Sequence, residues 1–301
     1  MQTDSSTTRD QQHADANSLY LHSSLQKAYS YLQYALHTGE GLVLVTGQPG
    51  TGKTALLQHL IKEQSSYDTS FNSVDCAHYS GAELLSKLAS EWGISVTGIT
   101  MPQLISAINT HLLQLSITGK RIILLLDEAQ FLTDDALEAV RQLSNLSTGG
   151  SPLLQIFLVG QPELRERLLK PAFTQLHQRI IATCNMELLS ATETREYVIQ
   201  QLSKAHWQNS DALPASVFNA IHRATLGTPR WINLICNRMM IQAIATDRLQ
   251  FSLEDICVIL QELIGEDLLP EPVRRANQAR ASVPPRSIAA KPGLTRLEVA
   301  A

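Results

Sequence analysis

The sequence predicts an α/β fold: a P-loop-type doubly wound parallel sheet followed by a small all-helical domain. Three observations predict it. A glycine-rich stretch, Gly47 to Thr54, lies between an apolar run (Leu42 to Val45) and a helical pattern (Ala55, Leu56, Leu57, Leu60, Ile61), which is the order of a strand–turn–helix unit. Ile122 to Leu126 is apolar at every position, as in a strand covered on both faces. Beyond Leu189 the strand signals stop and only helical patterns follow.

Each element has its own signal. Residues 1–17 are mostly Ser, Thr, Gln, Asp and His without periodicity and are expected to be disordered. A helix is expected from Ser23, with Leu25, Ala28, Tyr29, Leu32, Ala35 and Leu36 on one face, ending at Gly39 and Gly41. It is expected to pack beside whatever the glycine-rich loop binds. After the loop and its helix come a short strand (Ser70 to Asp75) and two helices (Gly81 to Trp92, Met101 to Leu115). The apolar strand from Arg121 ends at Asp127-Glu128, and a helix from Asp134 to Leu146 leads through Gly149-Gly150 to a strand over Leu153 to Val159. A last strand is expected over Ile180 to Glu187. Helices are then expected over Thr192 to Ala205, Pro214 to Ala224, Arg230 to Ala245 and Leu253 to Leu263. The expected organisation is 18–189 for the α/β domain, 190–268 for the helical domain and 269–301 for a disordered basic tail.

Composition narrows the class. With 301 residues, 44% apolar and 17% charged, the chain has room for a main domain and a smaller one. A formal charge of −4 excludes a globally basic nucleic-acid binder and leaves room for a local basic patch. The tail from Pro270 carries more bases than acids; it reads as a solvated tail or a weak contact for DNA or anionic lipid. Cys76, Cys184, Cys236 and Cys257 form no C-x-x-C pair and read as reduced, mostly buried thiols. Neither a signal peptide nor an apolar run near the ~20 residues of a membrane span is present. The expected location is the cytoplasm, with peripheral attachment at the inner membrane through a partner left open.

The loop carries the chemistry. Gly47-Gln48-Pro49-Gly50-Thr51-Gly52-Lys53-Thr54 fits G-x-x-x-x-G-K-[ST], and Ala55 continues into the helix. A helix start leaves backbone N–H groups unpaired and partly positive, and glycines let them surround a phosphate chain. Lys53 can reach the β- and γ-phosphates of ATP, and Thr54 offers a hydroxyl to Mg²⁺. Asp127 can hold Mg²⁺ through its water shell, and Glu128 can orient or deprotonate the water that attacks the γ-phosphate. Gln161 follows the next central strand: it either reaches the γ-phosphate or attacking water, or only begins the turn Gln161-Pro162-Glu163. Arg179 precedes the last strand, where a guanidinium could cross to a neighbour's γ-phosphate; Arg165 and Arg167 are also conceivable, each with a surface salt bridge as the alternative. Gly227-Thr228-Pro229-Arg230 opens a helix of the second domain, so Arg230 either folds onto the phosphates or merely starts a helix.

Taken together these residues resemble the AAA+ superfamily, and within it the ExeA-like bacterial ATPases of the general secretion pathway and of mannose-sensitive haemagglutinin pilus biogenesis. The resemblance runs from about Tyr20 to Leu263. It includes Leu124-Leu125-Leu126-Asp127-Glu128-Ala129-Gln130, Leu143-Ser144-Asn145-Leu146, the run from Leu154 to Leu164, Gln178-Arg179-Ile180, and Gly227-Thr228-Pro229-Arg230 with Ile232-Asn233. It implies Lys53 and Thr54 as the Walker A pair, Asp127 and Glu128 as the Walker B pair, Gln161 in the sensor 1 place, Arg179 as arginine finger and Arg230 as sensor 2. It also implies ATP-dependent assembly into rings or filaments, with an envelope secretion or type IV pilus machine as partner. Longer members carry a membrane span and a peptidoglycan-binding region after the ATPase part, and neither is expected in this sequence. Transposition ATPases of the TniB and MuB type share the architecture and bind DNA as oligomers, which is the alternative reading. A nucleotide-gated adaptor with negligible hydrolysis is a third, and Glu128 speaks against it.

Overall fold

The computed structural model describes residues 22–39, 41–64, 68–76, 78–205, 207, 213–246 and 250–269. The expected disorder of 1–17 and of the tail from Pro270 lies outside the described residues. In chain order the first half is α1 (Ser23–Thr38), β1 (Leu42–Gly47), α2 (Lys53–Gln64), β2 (Thr69–Asp75), α3 (Gly81–Glu91), α4 (Met101–Ile117), β3 (Arg121–Asp127) and α5 (Asp134–Leu143). It continues through β4 (Ser147–Thr148), β5 (Ser151–Pro152), β6 (Leu154–Gly160), α6 (Pro162–Leu168), α7 (Thr174–His177) and β7 (Ile180–Met186). The helical part is α8 (Ala191–Lys204), α9 (Ala215–Thr225), α10 (Pro229–Thr246) and α11 (Leu253–Gly265).

Five strands form one sheet in the order β2-β3-β6-β1-β7, and each neighbouring pair is parallel. Alternation along the central strands explains why both faces are covered. On one face Val43, Val45, Ile123, Leu125, Phe157 and Val159 pack with α1 and α2. On the other Leu42, Leu44, Leu124, Leu126, Ile156 and Leu158 pack with α3, α4, α5 and α6. Successive side chains point to opposite faces, so a strand sandwiched by helices is apolar throughout. β1 is accordingly buried at all six positions.

Two polar contacts anchor α1 where it leaves the sheet. Gln155, buried in mid-strand, donates from Nε2 to the Ala35 carbonyl at 2.7 Å, and Arg121 donates to the Leu36 carbonyl at 2.6 Å. Arg121 thereby reaches a carbonyl of the last helical turn, where intrahelical partners run out, and Gln155 adds to a carbonyl that the Gly39 N–H and the Thr38 hydroxyl also reach. Gly39 then closes the helix in the left-handed region, φ 72°.

The region after β3 departs from expectation. The helix stops at Leu143, not Leu146, and a β4–β5 hairpin turns through Gly149 and Gly150, both at positive φ. The Leu153 N–H donates to the Leu146 carbonyl at 2.9 Å, closing the loop before β6. α6 and α7 were also not anticipated; at seven and four residues they are too short for a helical period to stand out.

A second apolar core runs from Leu189 to Leu269 and gathers α8 to α11 around Val198, Phe218, Ile235, Met239 and Ile259. Its first helix is tied to α1. Glu193 caps α8 with Ser190 and also accepts from the Ser23 N–H at 3.1 Å and the Ser23 hydroxyl at 2.6 Å. Burial would raise the carboxyl, but the hydrogen bonds from Ser23 and Ser190 more than reverse this and lower it from 4.5 to about 2. A depressed carboxyl contributes stability above its unfolded pKa and loses it as pH falls through the folded one. The parent is therefore expected to lose melting temperature relative to Glu193→Gln between about pH 4.5 and pH 2. Parallel acid titrations of the two melting temperatures would refute the tie.

Candidate active site

The site is assembled at the carboxyl ends of β1, β3 and β6, where ligands of doubly wound sheets bind. After β1 the loop is closed on the Gln48 carbonyl. That oxygen accepts from the Thr51 hydroxyl at 2.8 Å, the Thr51 N–H at 3.3 Å and Lys53 Nζ at 3.1 Å. Lys53 Nζ also donates to the Gly47 carbonyl at 2.8 Å. Lys53 is buried: burial lowers its ammonium below the ordinary range, and the carboxylates of Glu128 and Asp127 work against that. Gly50 and Gly52 hold positive φ of 82° and 95°, which L side chains rarely adopt. The early N–H groups of α2, which begins at Lys53, therefore face the loop's hollow.

β3 brings the acids. The Thr54 hydroxyl donates to Asp127 Oδ2 at 3.0 Å, and the Glu128 N–H donates to Asp127 Oδ1 at 2.9 Å. Glu128 itself is left-handed, φ 52° and ψ 36°. A non-glycine residue there carries about 1–2 kcal/mol of strain, which the bond to Asp127 helps to hold. A hydroxyl and a carboxylate within reach of each other are hard oxygen donors suited to Mg²⁺, which keeps most of its water shell. Among the described residues no cluster of three or more His, Cys, Asp or Glu forms a fuller metal cage.

The helical part seats a turn on the loop. Arg230 donates its backbone N–H to the Gly50 carbonyl at 3.3 Å. A Cβ on Gly50 would stand 2.9 Å from Arg230 Cβ and 3.1 Å from Thr228 Cγ2. Gly50 is thus constrained twice, by its own φ and by the turn seated on it. A cavity of about 470 Å³ lies between loop and turn; Pro49, Thr51, Thr54, Ala55, Glu128 and Arg230 are among its walls. The guanidinium of Arg230 lies over the Trp231 ring at 5.5 Å.

The remaining expected residues fall in different places. Gln161 is the N-cap of α6 at the end of β6, as expected of a residue that begins the turn, and its backbone N–H donates to Gln130 Oε1; it is not among the residues that line the cavity. Arg167 is committed within the fold: it pairs with Asp134, donates to the Leu132 carbonyl and lies over Phe173 at 5.6 Å. Arg165 is exposed on α6. Arg179 is exposed before β7, with Nη1 donating to the Ser144 carbonyl at 3.1 Å. Since Ile180 pairs with Leu42 and Met186 with Gly47, Arg179 is at the opposite end of the sheet from the loop, about 17 Å away at ~3.3 Å per residue.

Sequence reasoning missed three wall residues and one bridging residue. Leu25 lines the cavity from the α1 face that was expected to pack beside the bound group, and His22 before α1 and Tyr197 and Asn233 from α8 and α10 line it too. No local pattern marks these last three, because they meet only through the packing of α1, α8 and α10. Gln130 connects Glu128 to Gln161; its one signal is its place two residues after Glu128.

Comparison with known proteins bears on the fold and the family. The AAA domain family matches residues 36–168. General secretion pathway protein A of Aeromonas hydrophila is 35% identical over 250 residues. The chain carries an AAA domain and is similar to the ExeA-like group. The match to that relative covers 82% of this chain and 45% of the relative, so this chain spans less than half of the relative's length. Among solved structures, the Aeropyrum pernix ORC2 protein superposes with a TM-score of 0.64 at 14% identity, covering 81% of this chain and 67% of that one. Cdc6p of Pyrobaculum aerophilum gives 0.58 at 17% identity, with 80% and 68% covered. The RuvB Holliday junction branch migration motor of Thermotoga maritima gives 0.53 at 17%, with 86% and 75% covered. These likenesses establish the fold alone. No helix among the described residues is long and apolar enough to cross a membrane.

Proposed function

We propose that this chain hydrolyses ATP as a homo-oligomer, ring or filament, in which each active site is completed by a neighbour. Its cycle drives assembly or remodelling of an envelope secretion or type IV pilus machine. The observation that carries the oligomer is the separation between the loop and Arg179: an arginine at the far end of the sheet cannot serve its own phosphates, yet it is exposed where another subunit can meet it. The machine assignment is supported by the likeness to a protein named for the general secretion pathway.

In this reading the loop N–H groups and Lys53 bind the β- and γ-phosphates. Thr54 and Asp127 would hold Mg²⁺, whose charge neutralises the phosphate oxygens. Glu128 takes the proton of a water as its oxygen bonds to the γ-phosphorus; the bond to the bridging oxygen breaks, and ADP leaves with that electron pair. Gln161 is assigned the role of orienting the water, and Arg179 of a neighbour offsets charge on the transferring group. Arg230, on the turn seated over Gly50, links loss of the γ-phosphate to the angle of the helical part, which acts as a lid. A cytoplasmic protein peripheral to the inner membrane through its partner fits this role.

Mixing tests the shared site. Arg179→Ala and Lys53→Ala subunits, each inactive alone, are expected to recover part of the parent turnover when co-assembled, because one subunit keeps an intact loop and its neighbour an intact arginine. Co-assembled mixtures with no recovery would refute completion by a neighbour. Turnover stimulated by DNA and weakened by salt would move the protein to the transposition type.

A further inference from the structure

Gln130 has no part in the chemistry assigned so far, yet its side chain is held at both ends. Nε2 donates to Glu128 Oε2. Oε1 accepts the backbone N–H of Gln161 at 3.1 Å. These partners fix which way the amide faces, since only its oxygen can accept an N–H and only its nitrogen can donate to a carboxylate. The surroundings are shaped to the same end. A Cβ on Gly160 would stand 2.7 Å from Gln130 Oε1, so glycine leaves the space that the amide fills. Arg167 clamps the short helical turn at Ala129–Phe131, donating to the carbonyls of Leu132 and, at 3.4 Å, Gln130, while Asp134 and Phe173 hold the guanidinium. The turn is thus fixed from outside and the amide from both sides.

We propose that Gln130 is a positioning residue for hydrolysis. It fixes the carboxylate of Glu128 and transmits to it any displacement of the β6–α6 turn. The proposal rests on the reading of Glu128 as the residue that activates water. One carboxylate oxygen is occupied by the amide, which leaves Oε1 to take the proton of water and restricts the rotamers that would carry it away. The other end of the amide is attached to the backbone of Gln161, at the carboxyl end of the strand between those bearing the loop and the acids. A γ-phosphate that draws Gln161 shifts the acceptor end of Gln130, and the carboxylate follows. Nucleotide contact and base placement are joined through a single side chain.

The test uses the full chain and two measurements, ATP turnover and binding of a fluorescent ATP analogue. Gln130→Leu keeps the length without either polar end. Its kcat is expected to fall about 10–100-fold, the scale of a misplacement of about 1 Å in a catalytic group, with analogue affinity within about twofold of the parent. Gly160→Ala pushes into the amide and is expected to lower kcat in the same way; it carries the comparison if Gln130→Leu does not fold. The deciding readout is a double-mutant cycle. In a Glu128→Gln background, Gln130→Leu is expected to change the residual single-turnover rate by less than about twofold, because a residue acting through Glu128 has nothing left to act on. Parent-like turnover in Gln130→Leu, with Glu128→Gln inactive, would overturn the positioning role and leave Glu128's role standing. An equal loss in both backgrounds would overturn it as well, by showing that Gln130 acts elsewhere. Parent-like turnover in Glu128→Gln would remove the reading of Glu128 itself.

Discussion

Glu128→Gln is expected to bind ATP as the parent does and to turn it over about 10²–10⁴-fold more slowly, the usual contribution of a positioned general base. The substitution keeps shape and backbone, so the left-handed conformation and the N–H bond to Asp127 survive. What is lost is the ability to take a proton. Lys53 is partly held in its ammonium form by the Glu128 and Asp127 carboxylates, and Asp127 remains in the variant. Binding should therefore be retained, measured by titration with a fluorescent ATP analogue, while phosphate release falls. A variant that releases phosphate at the parent rate would show that the water is activated by another group.

The second large effect concerns the lid. Gly227→Ala is expected to destabilise the protein by about 3 kcal/mol. An extra methylene in a full space costs about 1–3 kcal/mol, and a left-handed non-glycine residue costs about 1–2 kcal/mol more. Gly227 has φ +75°, and a Cβ there would lie 2.0 Å from the Leu189 carbonyl oxygen. That contact is with backbone at the joint between the two parts, where the Leu189 N–H donates to the Gly227 carbonyl at 2.9 Å. No side-chain rotation relieves it. The neighbouring Leu226 is already left-handed, φ 51°, so the turn has little freedom to adjust. Chemical denaturation would read the loss; a midpoint within error of the parent would mean that the joint gives way freely. Because the same turn carries Arg230 onto Gly50, nucleotide affinity should fall alongside stability.

The two substitutions differ in how their sites could be found. Glu128 is legible in a linear string because it follows a buried strand and sits next to an acid, a local pattern with a local cause. Gly227 is visible as part of a turn, but nothing near it in sequence reveals that a carbonyl 38 positions earlier occupies the space of its absent Cβ. Gln130 is intermediate. Its nearness to Glu128 is sequential, whereas its second partner, Gln161, is 31 residues away and arrives only because β3 and β6 are neighbours.

The fold class, the phosphate loop and the pair of acids were determined by the sequence alone. Their signals are short-range: glycines where φ is positive, an apolar run where both faces are covered, a hydroxyl beside a lysine where a helix starts. Tertiary structure decided three other things. Pairing of β7 with β1 put Arg179 at the far end of the sheet from Lys53, and a hydrogen bond and the close packing at Gly50 seated the turn before α10 on the loop. The cavity between α1, α8 and α10 is the third, for its walls are drawn from residues 22 to 233. Such contacts depend on the order in which strands pair and on which helix faces meet. A local pattern of residue types carries no record of either.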